Sequence, residues 1–74
     1  MNSLKLKGLL REKELTYKEC AEALKMSVTT FNSKINNKTQ FDIVEINSLV
    51  NFLQLDLNKA IEIFFDNNLH DIQK

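Results

Sequence analysis

The stretch ECAEALKMSVTTFNSKINN, residues 19–37, starts as a strong helix and changes character at Met26-Ser27. Its first part is rich in Glu, Ala, Leu and Lys, which favour helix, whereas residues 28–30 are β-branched and only moderate helix formers. Ser27 is a favourable N-cap. Capping stabilises a helix by about 1 kcal/mol, which offsets the weaker helix propensity of residues 28–30. The pattern therefore predicts that one helix ends near Met26 and that a second, nearly perpendicular helix begins at Ser27.

The same start signal occurs four times in the chain. An apolar residue precedes a capping side chain, and another apolar residue follows four positions after the cap. The predicted caps are Thr16, Ser27, Asp42 and Asp56, and two capping boxes are completed by Glu19 and Glu45. Together with an N-terminal helix, these signals predict five helices, over residues 3–13, 16–25, 27–37, 42–54 and 56–69.

The composition is typical of one small helical domain. The chain has 74 residues, of which 43% are hydrophobic and 27% charged, with no Pro and a single Gly. Because sheet folds need turn residues, this composition predicts one all-α domain over residues 1–74. No apolar run is long enough to span a membrane, and Cys20 has no partner for an intrachain disulfide. We therefore expect a cytoplasmic protein with no membrane association.

The charges are unevenly distributed along the chain, although the net charge is zero. Residues 1–40 contain eight Lys or Arg and four Glu, whereas residues 41–74 contain two Lys and six Asp or Glu. The positive first half indicates an anionic partner, and chance segregation in a short chain is the alternative. Lys38, which follows the third predicted helix, is the best candidate for a phosphate contact. The basic residues of the first helix are assigned to solvated surface: Lys5, Lys7, Arg11 and Lys13.

Apolar residues recur at helical spacing and predict the buried face of each helix. Gly8 is expected to allow close packing of the first helix. The core residues expected from the first four helices are Leu6, Leu9, Leu10, Cys20, Ala21, Leu24, Phe31, Ile35, Ile43, Ile46, Leu49, Val50 and Leu53.

The last predicted helix has more apolar residues than one buried face can use, because the line Leu57, Ile61 and Phe65 lies beside a second apolar line. Excess apolar surface often marks an interface with a partner. We therefore expect a homodimer formed through this helix, over residues 56–72, with the fourth helix contributing. The expected interface residues are Phe52, Phe64, Phe65 and Leu69. The alternative is that Phe64 and Phe65 close the core of a monomer.

The third predicted helix carries short polar side chains where a solvent-facing helix would carry long charged ones. By helical spacing, one side of it is formed by Val28, Thr29, Asn32, Ser33 and Asn36. An Asn side chain pairs with an adenine edge through two hydrogen bonds, hydroxyls donate or accept, and methyl groups contact a thymine methyl. This side is therefore suited to reading duplex bases, and a solvated helix of weak propensity is the alternative.

Residues 15–38, LTYKECAEALKMSVTTFNSKINNK, resemble the helix-turn-helix of the phage repressor and Cro family of XRE-type regulators. Residues 41–65, FDIVEINSLVNFLQLDLNKAIEIFF, are similar to the fourth and fifth helices of small members of this family. The resemblance implies a compact five-helix, lambda-repressor-like domain with its helix-turn-helix over residues 16–37. It further implies a cytoplasmic protein of a bacterial or phage-infected cell that binds double-stranded operator DNA as a homodimer.

The resemblance also assigns roles to individual residues, because members of the family place the third helix in the major groove. The implied base-reading residues are Val28, Thr29, Asn32 and Ser33. The implied phosphate contacts are Tyr17, Ser27, Asn36, Asn37 and Lys38. Tyr17 stands where many members have Gln, and Lys25 replaces the common turn Gly and is expected in the left-handed region. Lys34 replaces a buried aliphatic residue, and Ile35 is expected to fill that place in the core.

The implied function is a transcriptional repressor that blocks polymerase at an operator. A protein-interaction module of the same fold, such as an antitoxin or antirepressor component, is the alternative that zero net charge and the apolar last helix favour. A nucleoid protein that binds DNA without sequence preference should be strongly basic, and this chain is not. No nucleophile–base pair, metal-ligand spacing or Gly-rich phosphate loop occurs, and we therefore expect no enzyme, no cofactor and no small-molecule ligand.

Overall fold

In the computed structural model of the protein, which describes residues 1–65, five helices follow one another through short turns. They are α1 (Ser3–Glu12), α2 (Tyr17–Leu24), α3 (Val28–Ile35), α4 (Ile43–Leu53) and α5 (Leu57–Phe64). Residues 1–65 contain no strand, and the predicted all-α, five-helix, helix-turn-helix-like architecture is confirmed. The last part of the helix predicted over 56–69 lies outside the described residues.

The four predicted caps all occupy N-cap positions. At α2, the hydroxyl of Thr16 accepts from the Glu19 amide at 3.1 Å, and the Glu19 carboxylate accepts from the Thr16 amide at 2.8 Å. Asp42 and Glu45 form the second predicted capping box, with distances of 2.8 and 3.0 Å. The sequence pattern missed a fifth cap at the start of α1, where Asn2 accepts from an amide of the first turn at 3.0 Å.

The core is centred on Phe31, which is fully buried. Its ring centroid lies 5.5 Å from that of Tyr17 and 5.8 Å from that of Phe41, both in edge arrangements. Phe41 in turn contacts Phe64 at 6.3 Å, so the ring cluster joins α2 and α3 to α5. The fully or nearly fully buried hydrophobic residues are Leu6, Leu10, Cys20, Ala21, Phe31, Ile35, Leu49, Leu53, Ala60, Ile63 and Phe64.

Two predictions about packing are wrong. A Cβ atom placed on Gly8 would meet nothing within 4 Å, so close packing does not require glycine there. Ile43, which we expected in the core, is 67% exposed. The reason is that the most deeply buried residues of α4 are Leu49 and Leu53, and Ile43 lies about a quarter turn away from that line.

Cys20 is a core residue, as predicted from its position on the apolar face of α2. Burial, together with the smaller effect of the nearby negative charge of Glu19, raises the pKa of its thiol to about 11. The side chain therefore stays a neutral thiol at physiological pH, as a buried hydrophobe does.

Helix α1 contacts α5, although the two helices are far apart in the sequence. The Asn2 amide donates to the Ile63 carbonyl at 2.6 Å, and Lys5 forms an ion pair with Glu62. These contacts place the N-terminal segment beside α5. Within residues 1–65, no helix combines the length and apolar character that crossing a bilayer requires.

Candidate nucleic-acid interface

The α2–α3 unit has the geometry of a helix-turn-helix. Helix α2 ends at Lys25, which has φ 60° and ψ 43°, the left-handed conformation expected for this turn position. The Met26 amide donates to the Ala21 carbonyl at 3.0 Å and closes the turn. Ala21 is buried in the core that α2 and α3 share, so a larger side chain there would crowd its neighbours.

The side chains of α3 divide between the core and the surface. Phe31 and Ile35 are fully buried, and the burial of Ile35 confirms that it fills the core position expected of it. Three of the four predicted base-reading residues, Val28, Thr29 and Asn32, are exposed. The fourth predicted reader, Ser33, is half-buried. The exposed side of α3 is therefore small and polar, with the methyl groups of Val28 at its start.

The predicted phosphate-contacting residues lie on α2 and around α3. Tyr17 is the first residue of α2 and is half-buried against Phe31, and Ser27 is the N-cap of α3, accepting from the Thr30 amide at 3.1 Å. The Ser27 hydroxyl also donates to the Thr30 hydroxyl at 2.9 Å. At the other end, Lys38 is exposed. Ser27 and Lys38 therefore lie before and after α3, and Tyr17 lies at the start of α2.

The N-terminal segment holds the end of α3 through three polar contacts. The Ser3 hydroxyl donates to the Ile35 carbonyl at 2.5 Å. The side chain of Asn37, whose backbone has φ 63°, donates to the Met1 carbonyl at 3.3 Å. Lys7 donates to the side-chain oxygen of Asn36 at 2.5 Å. Sequence reasoning placed Lys7 on solvated surface, because helical spacing within α1 gives no signal of a contact with a residue 29 positions away.

Two basic residues of the first half are neutralised by acids of the second half. Lys34 is 3.0 Å from Glu45 and donates to the Gln40 carbonyl at 3.0 Å, so its charge points away from the exposed side of α3. Lys5 is paired with Glu62. Among the salt bridges of residues 1–65 none involves Lys38, and this exposed cation remains available for an anionic partner.

The predicted dimer residues fall into three different environments. Phe64 is only 6% exposed and packs in the core, in agreement with the alternative that it closes a monomer. Phe52 and Phe65 are 39% and 37% exposed, but Phe52 lies on the side of α4 opposite to Ile43 by helical spacing. Leu69 lies outside the described residues, as do the last residues of the predicted dimer helix.

An apolar groove runs between α4 and α5, and we call it the α4–α5 groove. It is lined by Ile43, Val44, Ile46, Asn47, Val50, Leu57, Ala60 and Phe65, none of them charged. Val44 and Leu57 are 70% and 74% exposed. The expected excess of apolar surface on α5 is therefore confirmed. A contribution from α4 was expected through Phe52, but the α4 residues that line the groove include Ile43, which was assigned to the core.

Comparison with known proteins identifies a family. No curated protein and no solved structure matches the chain significantly. One family model matches residues 2–67, from the cap of α1 to just beyond α5. The chain therefore belongs to the family described as "Protein of unknown function (DUF739)".

Proposed function

We propose that the protein is a sequence-specific DNA-binding transcriptional regulator, of bacterial or phage type, that reads a duplex with α3. The observation that carries this proposal is the exposed side of α3, where Val28, Thr29 and Asn32 are accessible. The segment from Met26 to Ser33 contains no charged side chain. Short side chains allow a helix to approach a groove closely, and amide and hydroxyl groups match the donors and acceptors of base edges.

The proposed phosphate contacts and the proposed base contacts have complementary roles. Tyr17, Ser27 and Lys38 contact phosphates and set the position of the domain, whereas Asn32 and its neighbours discriminate between base pairs. Bound at an operator, the protein blocks polymerase and represses transcription. Because Lys38 is the one cation among the proposed phosphate contacts, the affinity should depend only weakly on salt.

The test is a selection of tight-binding duplexes from a random pool, repeated at two salt concentrations. We expect a preferred sequence, and Asn32→Ala should lose about 1–3 kcal/mol of discrimination at particular base pairs without loss of thermal stability. Asn58→Ala on α5 is the matched control, because Asn58 is also exposed but lies outside the α2–α3 unit. Sequence-blind binding would contradict the regulator and support a nucleoid role.

We also propose that the protein acts as a homodimer formed through the α4–α5 groove. The absence of charge from the lining residues favours this occupant, since homodimer interfaces are apolar and depleted of charged side chains at their centres. Leu57→Glu places a charge in the groove, and Leu4→Glu makes the same change at an exposed leucine of α1 outside it. Phe64→Glu would not be informative, because it puts a charge into the core.

Sedimentation of the purified protein tests the dimer. We expect the parent and Leu4→Glu to sediment as dimers at high micromolar concentration and Leu57→Glu as a folded monomer. A parent that remains monomeric at that concentration would overturn the dimer proposal and leave the DNA-binding proposal standing.

The α4–α5 groove also favours a second candidate function, a protein-interaction module of the same fold. In that case the groove receives a different protein, and α3 is only a solvated helix. The duplex selection separates the two functions, since an interaction module enriches no sequence at either salt concentration.

A further inference from the structure

We propose that Asn47 lies at the two-fold axis of the homodimer and pairs there with the Asn47 of a second copy of this chain, through two reciprocal hydrogen bonds between their side-chain amides. This inference rests on the proposed homodimer and names the contact that fixes how its two copies are oriented.

Among the described residues that line the α4–α5 groove, Asn47 alone has a polar side chain. The other lining residues are aliphatic or aromatic: Ile43, Val44, Ile46, Val50, Leu57, Ala60 and Phe65. On α4, residues three or four positions apart are neighbours on the helix surface, and Asn47 has Ile43 and Val44 before it and Val50 after it at this spacing. Asn47 is therefore flanked by apolar side chains of the groove.

The side-chain amide of Asn47 is free to accept a new partner. In the single chain it is exposed, and it makes no hydrogen bond with any other group of residues 1–65. An exposed amide is hydrated, and a second copy that covers the groove removes this water. Because a buried amide without a partner is unfavourable, packing of the groove on a second copy requires a polar partner for Asn47.

The symmetry of the dimer limits what that partner can be. A two-fold interface is isologous, so each copy presents the same groove to the other. The second groove therefore offers one polar side chain, its own Asn47. An Asn amide combines an acceptor oxygen with a donor NH₂ group, so two of them can each donate to the other. A residue meets its own copy only near the two-fold axis, which places Asn47 there.

This pairing selects one arrangement of the two copies. A wholly apolar groove could pack on its copy in several registers of similar free energy. With Asn47 inside it, every register that separates the two amides leaves both of them buried without a partner. A single Asn in an apolar helical interface fixes register and oligomeric state in the same way.

The test uses two charged variants, Asn47→Asp and Asn47→Lys, separately and mixed. Each variant alone places two like charges at the axis, and we expect its dimer dissociation constant to rise by about tenfold or more. An equimolar mixture places a carboxylate opposite an ammonium, and its dissociation constant should lie within about threefold of the parent value. Sedimentation over a series of concentrations measures the constants, and circular dichroism checks that each variant folds.

Asn51 provides the matched control. It is an exposed Asn on α4, one turn beyond Asn47 and outside the lining of the groove. Asn51→Asp and Asn51→Lys should each dimerise as the parent does. The inference is overturned if association is lost and then regained by mixing at Asn51 instead of Asn47, or if the mixed Asn47 variants associate no better than either alone.

Cross-linking gives a second and more direct readout. A disulfide requires two Cα atoms within about 7 Å of each other, a distance that a residue at the axis can satisfy with its own copy. Oxidised glutathione should therefore convert Asn47→Cys, but not Asn51→Cys, into a covalent dimer. Cys20 is the only cysteine of the parent and is fully buried, so it does not compete. A dimeric Asn47→Cys that forms no cross-link would contradict the inference.

The outcomes separate this inference from the homodimer itself. A parent dimer that dissociates with Leu57→Glu but tolerates either charge at Asn47 would refute the self-pairing and leave the homodimer standing. A parent that is monomeric at high micromolar concentration would refute both.

Discussion

At the residue scale, Lys25 adopts an unfavourable left-handed backbone conformation that the turn of the helix-turn-helix requires. It is the C-cap of α2 and has φ 60°, a conformation that costs a side chain with a Cβ atom about 1–2 kcal/mol. Its amide donates to the Glu22 carbonyl at 3.1 Å and the next amide donates to Ala21, so the turn depends on this conformation. The turn sets the angle between α2 and α3. The free-energy cost of the left-handed conformation is offset by the packing of these two helices.

We therefore expect Lys25→Gly to stabilise the protein by about 0.5–1 kcal/mol. This is the relief of the left-handed strain less about 0.4–1 kcal/mol for the greater freedom of glycine in the unfolded chain. Urea denaturation of the two proteins measures the difference. Lys25→Ala removes the charge but keeps the Cβ atom, and a similar gain in that variant would show that charge, not backbone strain, sets the cost.

At the element scale, the starts of the helices could be predicted from the sequence more closely than their ends. Side chains such as Ser27 and Asp42 indicate where a helix begins, because the oxygen that caps the helix belongs to the N-cap residue's own side chain. Helices α1 to α4 each end one or two residues before a non-glycine residue with positive φ, namely Glu14, Lys25, Asn37 and Gln54. Glycine is the usual signal at such positions, and its absence explains why the predicted α1 and α3 run past their observed ends at Glu12 and Ile35.

Helix α1 offers a prediction of its own at Gly8. Glycine inside a helix is less favourable than alanine by about 0.5–1 kcal/mol, and the space where a Cβ atom would lie is open. Gly8→Ala should therefore raise the free energy of unfolding by about this amount, as measured by thermal or urea denaturation. A loss of stability would mean that α1 makes a close approach at this position after all.

At the scale of the whole molecule, the fold brings together groups that are distant in the chain. The exposed side of α3 was predictable from the sequence, because its residues follow helical spacing within one element. The Lys7–Asn36 contact and the α4–α5 groove were not, because each depends on how two helices pack. Ile43 illustrates the difficulty, since periodicity defines an apolar line but not which neighbouring helix covers it.

The contact between α1 and α5 should make stability depend on pH. The hydrogen bond from Lys5, together with the charges of Lys5 and Lys59, lowers the pKa of Glu62 below its usual value. A group whose folded-state pKa is lowered stabilises the fold above its unfolded pKa, and this contribution is lost as the pH falls through the folded value. Stability lost through Glu62→Gln should therefore be greatest above the unfolded pKa of a glutamate, about 4.3, and should disappear as the pH falls through the lower folded-state pKa.

Urea denaturation of the parent and Glu62→Gln across this pH range measures the effect. Glu12→Gln is the control for the change in net charge at an exposed glutamate of α1. If the difference between the parent and Glu62→Gln were the same at every pH, the Lys5–Glu62 contact would not be the source of the stabilisation.

The most direct test of the central claim is amide shift mapping of the ¹⁵N-labelled protein titrated with the duplex that the random pool yields. We predict that the largest changes occur at residues 27–33 and at Lys38, with small changes in α5. Changes concentrated at Val44 and Leu57 of the α4–α5 groove, with α3 unaffected, would contradict it.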